Sequence, residues 1–133
     1  FQNQFRMRLN SLEPNAHYDL QHGKPLAIER DNDGSAIVRF NIEEDKQVPE
    51  GKKKAETVGY KCREIRIWDE PTKKNIKKAF IRSVIDESEE FELVNSYYKH
   101  QLGLVEDETA VERYKEFLLF TEELDEAVKS MLN

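Results

Sequence analysis

The chain of 133 residues has one cysteine, Cys62, so no internal disulfide can form and a disulfide-stapled secreted scaffold is excluded. A catalytic role for that thiol needs a base beside it, and no histidine is placed to serve, so Cys62 reads as a small core residue. Histidine is as scarce, with His17, His22 and His100 only. None follows a Glu by three residues, the pattern that helical di-metal sites require. His17 and His22 could supply half of a zinc site at most and read as surface residues. With five glycines, most of them in evident turns, no phosphate-cradling or dinucleotide loop is present, and there is no nucleophile elbow. No metal, cofactor or catalytic group is therefore assigned, and a non-enzymatic role is expected. No apolar run nears the roughly 18–20 residues of a membrane span, and no signal-peptide pattern opens the chain. A soluble, cytoplasmic protein is the expectation. Internal repeats and low-complexity tracts are also missing.

What remains is charge. Charged residues make up 36% of the chain and hydrophobic ones 38%, with a net charge of −6. The apolar residues fall in periodic runs and aromatics reach 10%, which argues for one folded domain rather than disorder. Phe1–Arg6 is read as the remnant of a cleaved tag, with a native start falling at Met7. Residues 7–24 are expected to form an irregular arm, with at most a short strand or helical turn, and residues 25–133 the domain proper.

Two alternating segments open that domain. Leu26 and Ile28 alternate with Ala27 and Glu29. After the turn cluster Asp31-Asn32-Asp33-Gly34, Ala36, Val38, Phe40 and Ile42 alternate with polar residues, which places the even-numbered set on one face. The cluster suits a hairpin turn, since Asp, Asn and Gly tolerate positive φ. It lacks the oxygen ligands and distal Glu of a calcium loop. Asp45–Thr57, with Pro49, Gly51 and three successive lysines, reads as a protruding loop. From Val58 to Trp68 the alternation changes phase: Val58, Tyr60 and Cys62 share one parity, Ile65 and Ile67 the other. Either a bulge near Arg63-Glu64 brings both sets to one face, or the strand is buried on both.

Trp68-Asp69-Glu70-Pro71-Thr72 marks a helix start, with Asp69 or Thr72 as cap. The stripe Ile76, Ala79, Phe80 and Val84 follows. Asp86 and Glu89 have capping-box spacing before a second stripe, Phe91, Val94, Tyr98 and Leu102, and Gly103 ends that helix. Asp107 caps a third helix with a long apolar stripe from Val111 to Met131.

Charge is segregated along the chain. Residues 61–85 hold eight basic side chains against three acidic; residues 86–133 hold four against fourteen. One reading is internal complementarity between a basic helix and acidic neighbours. The other is a ridge of Lys74, Lys78 and Arg82, four residues apart, that meets an acidic partner or a phosphate backbone, joined by Lys52, Lys53 and Lys54 at the loop tip. Trp68 is the one nearby residue suited to stacking, and it is expected to be buried or partly buried. The acidic runs Glu89-Glu90-Glu92 and Glu122-Glu123-Asp125-Glu126 read as solvated helix faces.

The run EIRIWDEPTKKNIKKAFIRSVIDESEEFELVNSYYKHQLG resembles the C-terminal part of small uncharacterised proteins carried by bacterial prophages or mobile elements. The resemblance covers the second half of the chain and implies an accessory or assembly role, with no functional residue carried over. The resulting expectation is an α+β domain: a small antiparallel sheet of about three strands (near 25–30, 35–43 and 58–68) followed by three helices (about 71–85, 87–102 and 107–131). The function expected first is protein interaction or assembly, with an unknown protein partner or by self-association and away from membranes. The alternative is a nucleic-acid-binding accessory that uses the basic 61–82 surface.

Overall fold

The turn at Asp31–Gly34 sets the sheet. Gly34 takes φ 89°, the Asp31 N–H donates to the Ser35 carbonyl at 2.9 Å, and the Asp33 carboxylate accepts from the Ser35 N–H at 2.9 Å and hydroxyl at 2.6 Å. Asp and Ser here replace the backbone partners that a tight turn removes. A computed structural model describes residues 12–132; the readings of Phe1–Arg6 as a tag remnant and of Met7 as a start lie outside them. The elements are β1 (Ala16–Asp19), a single 3-10 turn (Leu20–His22), β2 (Ile28–Arg30), β3 (Ala36–Gln47), β4 (Glu56–Ile67), α1 (Lys73–Val84), α2 (Glu87–Gln101) and α3 (Glu108–Leu132). The strands pair antiparallel in the order β1-β4-β3-β2. Sheet and three helices make an α+β fold.

The fourth strand comes from the arm. Ala16 to Asp19 pairs along β4, with Ala16 opposite Cys62 and Tyr18 opposite Tyr60. The Asn15 side chain extends the ladder: its amide donates to the Glu64 carbonyl at 3.1 Å and its carbonyl oxygen accepts from the Glu64 N–H at 2.7 Å.

The phase change in β4 resolves by burial on both faces. The irregularity lies on β3, where Asn41 and Ile42 stand opposite Cys62, between the pairs Phe40–Arg63 and Glu43–Lys61. Asn41 holds φ 53°, a region that Asn tolerates better than most residues. A second shift lies at Val58, between Asp45–Gly59 and Lys46–Thr57. No bulge forms at Arg63-Glu64, so β4 keeps its alternation from Gly59 to Ile67. Ile65 and Ile67 pair with Val38 and Ala36 under the helices, and Tyr60, Cys62 and Glu64 face the other way. The long hairpin also outruns the expected loop, which shrinks to residues 48–55 because Lys46 and Gln47 still pair with Thr57 and Glu56.

Each helix starts on a side-chain cap, and α2 closes on a glycine. Thr72 caps α1, accepting from the Asn75 N–H at 3.2 Å. Asp86 caps α2 through the Glu89 N–H at 2.8 Å. Gly103 (φ 75°) closes α2, its N–H donating to the His100 carbonyl at 3.1 Å and the Leu104 N–H to the Lys99 carbonyl at 2.9 Å. Asp107 caps α3 through Ala110. The core joins Val38 and Phe40 of the sheet to Ile76 and Phe80 of α1 and to Phe117, Phe120, Leu124 and Val128 of α3. The Phe80 ring meets Phe40 edge-on at 4.8 Å and lies 6.0 Å from Phe120. Fully burying a side chain of this size stabilises by about 1.5–3 kcal/mol. Helix α2 sits outermost, packed chiefly on α3, where Tyr97 and Tyr114 lie 4.7 Å apart.

Candidate interaction surfaces

Helix α2 carries two apolar stripes, and the outer one is the stripe that the sequence spacing picked out. Leu93 is buried, and Tyr97, one turn on, packs on α3. Phe91, Tyr98 and Leu102 face outward, 65%, 52% and 73% exposed, with Val94 half-buried beside them. Both sets satisfy three-four spacing, so periodicity alone could not choose between them. Packing chose the Leu93–Tyr97 side because α2 rests on α3 and, among the described residues, no second layer lies above it. Leu104 and Val105 are also exposed and continue the apolar surface past the end of the helix.

The basic ridge is divided. Lys74 and Lys78 are exposed and make no ion pair among the described residues. Arg82 is half-buried and engaged: its guanidinium donates to the Ile85 carbonyl at 3.1 Å and to Glu90 Oε1 at 2.7 Å, tying the end of α1 to α2. Lys73 and Lys77 turn the other way, to Asp125 of α3 at 3.4 and 2.8 Å, and Lys129 meets the same carboxylate at 3.1 Å. Hydrogen bonds from Lys77 and Lys129 hold the Asp125 carboxyl well below the usual carboxylate range. At the hairpin tip Lys52 pairs with Glu56 at 2.8 Å, and Lys53 and Lys54 are exposed. The structure therefore does not bring Lys52–Lys54 and the α1 lysines into one contiguous set of contacts. Trp68, expected to be at least partly buried, is 66% exposed. Its neighbour Ile67 turns into the core, so the alternation of the strand sends Trp68 outward.

The face of the sheet away from the helices holds a polar cluster that sequence reading missed. Arg39 is only 4% exposed. It donates from Nε to the Tyr18 hydroxyl at 3.1 Å and from Nη1 to the Leu26 carbonyl at 2.9 Å, and it pairs with Glu64 at 3.3 Å and Glu29 at 3.2 Å. The Tyr18 hydroxyl in turn donates to Glu64. Burial, then the bond to Glu64, raises the Tyr18 proton affinity. Cys62 is wholly buried on this face; burial, then the negative charge of Glu64, pushes its thiol up, so it rests as an inert thiol.

The histidines have local partners. His17 lies 3.2 Å from Asp45, His22 bonds Asp19, and His100 Nδ1 accepts from the Asp107 N–H at 3.0 Å at the α2–α3 corner. No group of three His, Cys, Asp or Glu among the described residues could hold a metal ion. An open groove of about 1000 Å³ runs between residues 24–27 and the end of α3, with Leu26, Ile42 and Met131 on its walls and Glu122, Glu123 and Glu126 along one side. Among the described residues no histidine or cysteine lines it. No helix among them is long and apolar enough to cross a membrane.

Fold and surfaces define an α+β protein with three helices on one side of a four-stranded antiparallel sheet and an aromatic stripe on its outermost helix. No family model, curated protein or solved structure matches the chain.

Proposed function

We propose that the chain is a non-enzymatic protein-interaction or assembly module that works in the cytoplasm through the outward face of α2. The observation that carries this reading is the exposure of Phe91, Tyr98 and Leu102 along one face of a single helix. Single exposed apolar residues are ordinary on any surface, but an aligned set that includes two aromatics is the composition of an interface centre. An amphipathic helix face of this kind is a common docking unit. An accessory role in a prophage or mobile-element setting suits such a module. The test is a photo-cross-linking residue placed at Phe91 and, as a control, at Glu112 of α3, in cells that make the chain natively. An adduct from position 91 that position 112 does not give, and that excess unmodified chain suppresses, is the expected result. Equal or absent adducts from both positions count against the reading.

A second reading, nucleic-acid binding, is favoured by the exposure of Trp68 close in sequence to Lys74 and Lys78, which are exposed and make no ion pair among the described residues. A base can stack on an exposed indole while lysines meet phosphates. The overall charge of −6 opposes it. Retention on a single-stranded DNA column that falls steeply with salt, and that Trp68→Ala abolishes, supports this alternative. Flow-through at low salt removes it.

A further inference from the structure

We infer that the partner of the α2 face is a second copy of this chain, docked antiparallel across a two-fold axis that passes beside Asn95 and Ser96. The inference rests on the interaction reading above and names its partner.

Charge along the rim of the stripe is what points to self-pairing. The outer face of α2 is bordered on one side by Glu92 and Lys99, two turns apart, both exposed and both without an ion pair among the described residues. Acids near the start of a helix and bases near its end suit the helix dipole, and Glu87 and His100 are placed for that. Glu92 and Lys99 differ because they flank an apolar stripe that is exposed and uncovered among the described residues. A two-fold axis lying in the interface and perpendicular to the helix brings the same edge of each helix together, run in opposite directions. Glu92 then meets the partner's Lys99, and Lys99 meets the partner's Glu92. A parallel two-fold pair would instead put the two copies of this edge on opposite sides of the interface, where Glu92 and Lys99 could not meet.

The apolar residues interlock in that same register. With Glu92 opposite the partner's Lys99, Phe91 falls between the partner's Tyr98 and the partner's Leu102. Tyr98 falls between the partner's Phe91 and the partner's Asn95. These are the knob-and-hole positions of an antiparallel helix pair. One residue pattern thus satisfies both the apolar and the charged edges, which an isologous contact requires.

Size sets the strength. Helix α2 has 15 residues, so its face is about 22 Å long and about 10 Å wide, on the order of 200 Å² in projection. A standard stable interface takes about 800 Å² per partner. The pair is therefore a weak, reversible dimer, dissociating in the micromolar range or above, unless Leu118 and Leu119 of α3, both exposed, add area.

Sedimentation equilibrium of the purified full chain, from low to high micromolar concentration, tests this. The expected result is a monomer–dimer equilibrium. Glu92→Lys alone and Lys99→Glu alone each turn two cross-dimer attractions into repulsions, weakening the dimer by roughly tenfold. The combined variant E92K/K99E restores it, because the exchanged charges again oppose one another. A chain that stays monomeric throughout overturns self-pairing. A dimer that E92K and K99E leave unchanged, or that the combined variant fails to rescue, overturns the antiparallel register and with it the inference. Neither result touches the interaction reading, which falls only if the cross-linker at position 91 gives no specific adduct in cells.

Discussion

The guanidinium of Arg39 lies over the ring of Tyr18, its central carbon 4.8 Å from the ring centroid, on the side of the sheet that the helices leave open. The contact explains how an arginine that belongs by alternation to the polar set of β3 comes to be buried. Tyr18 arrives on β1, and the chain at Leu26 closes over the other edge, so the arginine is covered by elements outside its own hairpin. Its charge is met by Glu64 and Glu29, and Nε and Nη1 also donate to the neutral oxygens of Tyr18 and Leu26. Arg39→Ala removes the cation from two carboxylates and leaves a gap under Tyr18. The expected loss is about 3 kcal/mol. Tyr18→Phe keeps the ring and loses only hydroxyl bonds, at about 1 kcal/mol. Urea unfolding monitored by circular dichroism separates the two, and equal losses would argue against the stacking and charge roles assigned to Arg39.

At Gly59 the backbone of β1 lies close against β4. A Cβ built on Gly59 would run into the backbone carbonyl of Tyr18 and stand 3.2 Å from the Asp19 Cα. Backbone cannot swing aside as a side chain can, so Gly59→Ala should loosen β1 from β4. The expected cost is about 1–3 kcal/mol. Because Ala16 of β1 lies opposite the buried Cys62, the sharper readout is that thiol. Reaction with a disulfide reagent should be very slow in the wild-type chain and many times faster in G59A under native conditions. An unchanged rate would mean that β1 does not shield Cys62.

Asp125 gathers Lys73, Lys77 and Lys129 from two helices, and they depress its proton affinity far below the ordinary value of 3.8. A carboxylate whose folded value is depressed contributes stability that is complete above its unfolded value and lost as pH falls through the folded one. The difference in melting temperature between the wild type and Asp125→Asn should therefore be constant from neutral pH down to about pH 5 and shrink below about pH 4. A difference that stays the same down to about pH 2 would show that packing, not charge, made the contribution.

The order of elements was legible because local periodicities survive in the fold. Ala36, Val38 and Phe40 face the core as their period-two spacing indicates, and Thr72, Asp86, Gly103 and Asp107 cap where their side chains can reach. Pairing was not legible. The extra residue that shifts the hairpin lies on β3 at Asn41 and is recognisable only once Cys62 is known to oppose it. The pairing of β1 was equally hidden, since Ala16–Asp19 offers little apolar pattern. For α2, Leu93 with Tyr97 and Phe91 with Tyr98 have equal claims by spacing. The choice belongs to tertiary packing, and that choice is what exposes the proposed interface. That Trp68 faces away from the helices, by contrast, could have been read from the burial expected of Ile67 beside it.

The ridge at Lys74, Lys78 and Arg82 should divide under mutation as it divides in the structure. Lys74 and Lys78 stand in solvent, so Lys74→Glu with Lys78→Glu should change stability by no more than about 0.5 kcal/mol. Arg82 links the last turn of α1 to Glu90 and to the Ile85 carbonyl, and both it and Glu90 are about two-thirds buried, with side-chain exposures of 33% and 32%. Arg82→Ala should cost about 1–2 kcal/mol, as expected for a partly buried charge-assisted pair. Thermal unfolding of the two variants decides this part. The double lysine variant then isolates function from folding. If a phosphate-bearing ligand binds through α1, its retention should fall in K74E/K78E while the melting temperature holds. Retention that persists there but is lost in R82A would trace to a disturbed α1–α2 joint rather than to a binding ridge, and the ridge would have no claim to a ligand of its own.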